Sequence, residues 1–152
     1  MHDDNQTSAV LRRGIELCRQ GDWNGGLFFL GRIAEADRSK DLPGVFYSYL
    51  GYGIARCQQR TKEGLKLCRH SVKVEFYEPD NYLNLARTCL LAKDRSGAMD
   101  AVAEGLRVDP QHVELLALHR ELGIRRPPVL PFLSRSNPLN LFLGRIRSLF
   151  RA

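Results

Sequence analysis

The side chains able to hold a metal or act as nucleophiles are four cysteines (Cys18, Cys57, Cys68, Cys89) and four histidines (His2, His70, His112, His119). A structural zinc site needs ligands in close pairs, as in Cys-x-x-Cys or His-Glu-x-x-His, so that two side chains reach one ion. Neither pattern occurs, and the cysteines lie 39, 11 and 21 positions apart. Cys68 and His70 are near in sequence, but on a helix they point to different faces. No Gly-x-Ser-x-Gly elbow is present to expose a nucleophile. Gly51-Tyr52-Gly53 falls inside a predicted helix, where small residues let helices approach rather than cradle a phosphate. These patterns give no catalytic residue, no metal and no cofactor, and the chain is not expected to be an enzyme. The cysteines read as reduced, mostly buried thiols of a cytoplasmic protein.

Charge narrows the partners. The 152 residues are 43% hydrophobic and 26% charged, with a net charge of +6. Residues 1–119 carry 16 basic and 16 acidic side chains. Residues 120–152 carry Arg120, Arg125, Arg126, Arg135, Arg145, Arg147 and Arg151 against Glu121. A nucleic-acid-binding domain lines a folded face with cations. A neutral body with a basic tail does not, so no nucleic-acid partner is expected. No apolar run is long enough to cross a bilayer. The opening residues, Met1-His2-Asp3-Asp4-Asn5-Gln6, lack the basic-then-apolar order of a secretory signal, and none is expected.

The elements that would position any site are helices. Tyr82, Leu85, Ala86 and Cys89 fall at i, i+3, i+4, i+7, followed past Lys93-Asp94 by a second stripe of Ala98, Val102, Gly105 and Leu106. The preceding stretch repeats this as Tyr47, Leu50, Gly51, Ile54 and then Gly64, Leu65, Cys68, Val72. An earlier one carries Val10, Gly14, Leu17, Gly21-Asp22-Trp23, Gly26-Leu27, Leu30 and Ile33. Gly64 to Ala98 and Ser71 to Gly105 are each 34 positions, and Gly51 to Ala86 is 35. Gly14 to Gly51 is 37, so the first connection is longer, at residues 37–43. Pro43, Pro79 and Pro110 are placed as first-turn prolines, and Thr61, Ser96 and Asp109 as N-caps. Gly51, Ala86, Ala98 and Gly105 are expected where helices touch.

Residues 79–112, with Tyr82, Asn84-Leu85-Ala86, Ala98 and a terminal Asp109-Pro110, resemble the tetratricopeptide repeat, a 34-residue helix-turn-helix unit. The resemblance extends over about residues 7–112, in units 7–40, 44–78 and 79–112. The second unit has one residue more, and the first has Arg13 where the family usually has Leu. It implies an all-α, right-handed α-solenoid of helical hairpins over residues 1–122, closed by a capping helix at 113–122. A Pro/Arg-rich extended arm at 123–137 and an amphipathic helix at 138–152 complete the chain.

The family's use is protein–protein interaction, with the first helix of each repeat lining a concave groove. The lining here is expected to be Leu11 and Ile15, then Ser48, Tyr52, Ala55 and Arg56, then Leu83, Arg87, Leu90 and Leu91. That set suggests an apolar groove for a peptide or helix of another protein. Some relatives clamp a C-terminal carboxylate with Lys, Asn and Arg. The matching places here carry Leu11, Ile15, Tyr49, Asp80 and Asn84, so no such clamp is expected. In the tail, Leu139, Phe142, Leu143, Ile146, Leu149 and Phe150 form one apolar stripe beside Arg145, Arg147 and Arg151. The stripe is expected to dock on its own scaffold or on a second copy in a homodimer. The alternatives are docking into a different protein and a peripheral membrane protein tethered by this cationic helix.

Overall fold

The computed structural model describes residues 2–36, 42–123, 138, 142 and 143. The chain divides into two units, Met1–Leu122 and Gly123–Ala152. Seven helices are described: α1 (His2–Arg19), α2 (Trp23–Ala36), α3 (Gly44–Cys57), α4 (Thr61–Val74), α5 (Pro79–Leu91), α6 (Arg95–Val108) and α7 (Val113–Gly123). No strand occurs among the described residues. Of the expected tail helix, Pro138, Phe142 and Leu143 are described, each in helical conformation. Leu139, Ile146, Leu149, Phe150 and the arm at 124–137 lie outside the described residues.

α1, α3 and α5 each pack most extensively on the even helix that follows, and α3 and α4 both pack on α5. The expected small residues make these contacts. Ala86 and Ala98 are fully buried. A Cβ on Gly51 would stand 2.8 Å from the Gly64 carbonyl oxygen, and one on Gly64 would stand 2.5 Å from that of Gly51. Two backbones approach there because neither carries a side chain.

The hairpin turns repeat one device. Gly21, Gln59 and Lys93, each between the two helices of a hairpin, all have positive φ, at 90°, 57° and 61°. The next residue enters the following helix. Asp22 accepts the Gly25 N–H and Asp94 accepts the Gly97 N–H, both at 2.9 Å. Arg60, at the corresponding place, makes no side-chain cap. These observations correct the expected caps. Thr61 is the first helical residue after Arg60, and the cap of α6 is Asp94, not Ser96. Pro79 holds the first turn of α5 as expected, whereas Pro43 is the N-cap residue of α3. Asp109 accepts the Gln111 N–H at 2.9 Å, tightening a turn that contains Pro110. The chain enters α7 three residues later, where His112 Nδ1 accepts the Leu115 N–H at 3.2 Å.

The core has two parts. Ile15, Trp23, Leu30, Ile33, Phe46, Tyr49 and Tyr52 build one from α1–α3, and Cys68 joins it from α4. Leu83, Val102, Leu115 and Leu122 are the larger members of the other, from α5–α7. Between them runs a buried polar seam. Asn84 Nδ2 donates to Ser48 Oγ at 2.9 Å, Ser48 Oγ donates to the Asp80 carbonyl at 3.4 Å, and Thr88 Oγ1 donates to the Asn84 carbonyl at 2.7 Å. Such groups are costly inside a fold unless bonded to one another.

Candidate functional site

The odd-numbered helices bring polar side chains from distant positions to one place. Asp80 is the second residue of α5, after Pro79 and the N-cap Glu78, whose carboxylate accepts the Asp80 N–H. A negative charge there faces the positive end of the helix dipole. The Asp80 side chain is nearly buried. Its Oδ2 accepts from Arg19 Nη2 and from the Tyr49 hydroxyl, each at 2.7 Å. Its Oδ1 lies 3.2 Å from His112 Nε2. Arg19 ends α1, Tyr49 lies within α3, and His112 precedes α7.

Burial pushes the Asp80 carboxyl up, but the hydrogen bonds from Arg19 and Tyr49, the Arg19 charge and the His112 contact outweigh it. They hold the carboxyl below its ordinary value of 3.8. Tyr49 moves the other way. Burial, then the Asp80 charge, keeps its phenol protonated. The bond to Asp80 likewise fixes Arg19 as a cation. His112 completes the arrangement through its tautomer. Because Nδ1 accepts a backbone N–H, the ring proton of the neutral form sits on Nε2, which donates to Asp80.

Asp80, His112 and Glu114 have ligand atoms within 4.8 Å of one another, the one such group among the described residues. An oxygen–nitrogen–oxygen set suits several divalent ions. Here, however, Nε2 carries the proton and Nδ1 is taken by the α7 cap, so His112 has no lone pair to offer without giving up the cap. Asp80 is already bonded by two donors on Oδ2. The cluster is an internal ion-pair hub rather than a preformed metal centre. The buried thiols are equally unsuited to chemistry. Burial foremost pushes Cys18 and Cys68 up to about 12, and Cys89 is raised for the same reason. Thiols so raised are scarcely nucleophilic near neutral pH.

Beside the hub opens a pocket of about 490 Å³, walled by Trp23, Tyr49 and Tyr52 and rimmed by Arg19, Arg56, Arg87 and Glu114. The Trp23 ring stacks on Tyr49 with centroids 6.1 Å apart and meets Tyr52 edge-on at 4.7 Å. Arg19 lies over the Tyr49 ring and Arg87 over the Tyr52 ring, each 5.8 Å from the centroid. A rigid aromatic wall thus holds guanidinium groups at its edge.

The expected groove residues do not share one surface. Tyr52, Arg56 and Arg87 meet in this pocket. Ile15 lines a neighbouring hollow of about 670 Å³ with Arg12, Arg13 and Val45. Ser48, Ala55 and Leu83 are buried, Ser48 in the seam, Ala55 against Gly64 and Leu83 in the second core. Leu11 and Leu90 are half-buried, packed on the first and second cores respectively. Leu91 is exposed. The apolar stripe expected on α5 is therefore largely spent on the fold, and the face between the odd helices is aromatic and cationic. Sequence reasoning missed Arg19, Trp23 and Glu114 as pocket residues. The available signal was the Gly21-Asp22-Trp23 turn, which returns the chain toward the first helix. At the clamp positions, the structure places the buried anion of Asp80 and the hydrogen-bonded Asn84.

Stacked helical hairpins, with a face built from the first helix of each pair, define the tetratricopeptide-repeat fold, and this chain has it. Several solved structures share the architecture. The Arabidopsis OM64 TPR domain superposes with a TM-score of 0.61 at 11% identity, covering 78% of this chain and 95% of that one. The second TPR domain of human RPAP3, in complex with an HSP70 peptide, gives 0.61 at 11% identity, covering 80% and 98%. TTC0263, a TPR protein of Thermus thermophilus, gives 0.61 at 13% identity, covering 76% and 63%. No family model matches the sequence, and no curated protein matches it.

Proposed function

We propose that this protein is an interaction scaffold whose odd-helix face receives a segment of another polypeptide. The observation that carries this reading is the pocket of about 490 Å³ on that face, where side chains of α1, α3 and α5, Trp23 of α2 and Glu114 of α7 converge. Arginines from three separate helices meet around one aromatic wall, and two of them are held in place by ion pairs to Asp80 and Glu114. Such an arrangement suits a fold that grips a chain laid across its helices. The RPAP3 domain, of the same architecture, was solved with a peptide bound, which supports the same use here. The partner is a protein or peptide; no nucleic acid and no cofactor enter this reading.

A photo-crosslinking amino acid tests the face. It would be placed at Glu16 or Glu114 on the proposed side, and at Phe28 or Met99 on the exposed surfaces of α2 and α6. The expected outcome is cross-linking to peptide from the first pair of positions and not from the second. Cross-links confined to Phe28 and Met99 would place binding elsewhere.

A further inference from the structure

What the odd-helix face prefers follows from the arrangement of charge in the pocket. Three of the 16 cations in the first 119 residues, which are neutral overall, lie around this one hollow. Two already have an anion. Arg19 is paired with Asp80 at 2.7 Å and Arg87 with Glu114 at 3.1 Å. Arg56 has none. Its one hydrogen bond goes to the Tyr52 hydroxyl at 3.3 Å, and no carboxylate among the described residues lies within ion-pair distance of it. A guanidinium carries five N–H donors in a planar fork that matches a carboxylate. Arg56 uses one of them.

Arg87 adds to this unused capacity. It leans over the same Tyr52 ring whose hydroxyl holds Arg56, so both guanidinium groups border one edge of the pocket. Its partner Glu114 is 57% exposed, and a surface pair of that kind is held weakly. An entering carboxylate can therefore bond Arg56 and share Arg87 with Glu114. The aromatic wall of Trp23, Tyr49 and Tyr52 faces whatever carries that carboxylate, excluding water from one side of the ion pair and strengthening it. The site differs from a clamp for a chain terminus, because the clamp positions carry Asp80, an acceptor already paired, and Asn84, whose amide is bonded to Ser48.

We infer that the pocket recognises an acidic side chain, Asp or Glu, within a partner polypeptide, with Arg56 as the principal contact and Arg87 as the second. This rests on the odd-helix face being a polypeptide-binding surface, and the test separates the two ideas. A displayed library of random 12-residue peptides would be panned against the full chain, against Arg56→Gln and against Arg145→Gln/Arg147→Gln. Binding of selected peptides would be followed by the emission of Trp23, the single tryptophan and part of the pocket wall. Peptides enriched in Asp and Glu are expected from the parent and from the tail variant, with a change in Trp23 emission. A selected peptide should bind Arg56→Gln about ten-fold more weakly, the loss typical of a charge-assisted bond. It should lose a similar factor when its acidic residue is changed to the amide.

Selected peptides that move Trp23 emission without acidic enrichment would overturn the acidic preference and leave the binding face standing. Acidic enrichment that survives Arg56→Gln but vanishes in the tail variant would overturn it too, by assigning the anion to the basic tail. Failure to select any peptide that reports through Trp23 would overturn both the preference and the face.

Discussion

At the scale of single residues, Asp80 concentrates the most interactions. One carboxylate receives Arg19, Tyr49 and His112 from three other segments of the chain. Tyr49 is buried and its hydroxyl also accepts from Arg19 Nε at 3.0 Å, so deleting Asp80 leaves the phenol O–H without its acceptor in the interior. Asp80→Ala should cost about 1–3 kcal/mol for that reason, read by urea denaturation at pH 7. The pH dependence follows from the depressed carboxyl. In the folded state Asp80 holds its proton less tightly than in the unfolded chain, whose value is near 3.8. Its contribution is thus complete well above that value and is lost as the pH falls below it, through the folded pKa. The stability gap between parent and Asp80→Asn should narrow between pH 5 and the lowest pH at which both remain folded. A constant gap would show that the charge of Asp80 is not what stabilises the hub.

Helices and turns carry their own consequences. The first hairpin turns on Gly21-Asp22, which combines a residue at ease with positive φ and a capping carboxylate. The second turns on Gln59-Arg60, which has neither feature. Gln59→Gly should stabilise by about 1 kcal/mol by relieving the left-handed conformation. Arg60→Asp should add about 0.5–2 kcal/mol through the missing cap, less the small surface pair between Arg60 and Glu63. Thermal melting of the two single variants checks both values. Glycines within helices divide by surroundings rather than by propensity. A methyl group on Gly31 of α2 would have nothing within 4 Å, so Gly31→Ala should stabilise by about 0.5–1 kcal/mol. Gly64 faces the Gly51 backbone, and Gly64→Ala should destabilise by about 1–3 kcal/mol despite the same gain in propensity. Equal signs for the two would mean that α3 and α4 do not approach as closely as described.

For the repeat unit as a whole, the main question is how two apolar cores stay joined. The polar seam of Ser48, Asn84 and Thr88 lies between them, and Cys68 Sγ approaches Thr88 Oγ1 at 3.4 Å. Exposure of the thiols therefore reports on the integrity of the stack. Cys57 is exposed while Cys18, Cys68 and Cys89 are buried. With a thiol reagent the native protein should react quickly at Cys57 alone, and the other three should follow only at the rate of opening. Fast reaction of Cys68 would mean that the α3–α4 pair separates readily from α5.

The repeat itself was legible in the sequence because it is a local property. Helical stripes, small residues 34 apart and the Pro79 start depend on neighbours within one or two turns, and the structure shows helices at those places. The capping helix over 113–122 was legible for the same reason. The caps were less so, because Thr61 or Ser96 satisfies the residue preference as well as Asp94 does, and only the path of the turn selects among them. The candidate site was the least legible. The resemblance to the repeat placed Tyr52, Arg56 and Arg87 on the face of the odd helices, where they line one pocket. Which apolar residues remain on that face depends on how much of each helix its neighbours cover, and Leu83 and Ser48 were covered. The meeting of Arg19, Tyr49, Asp80 and His112 spans 94 positions of the chain. No local rule relates residues so far apart; stacking of successive hairpins brings them together, and that stacking is decided by tertiary packing alone.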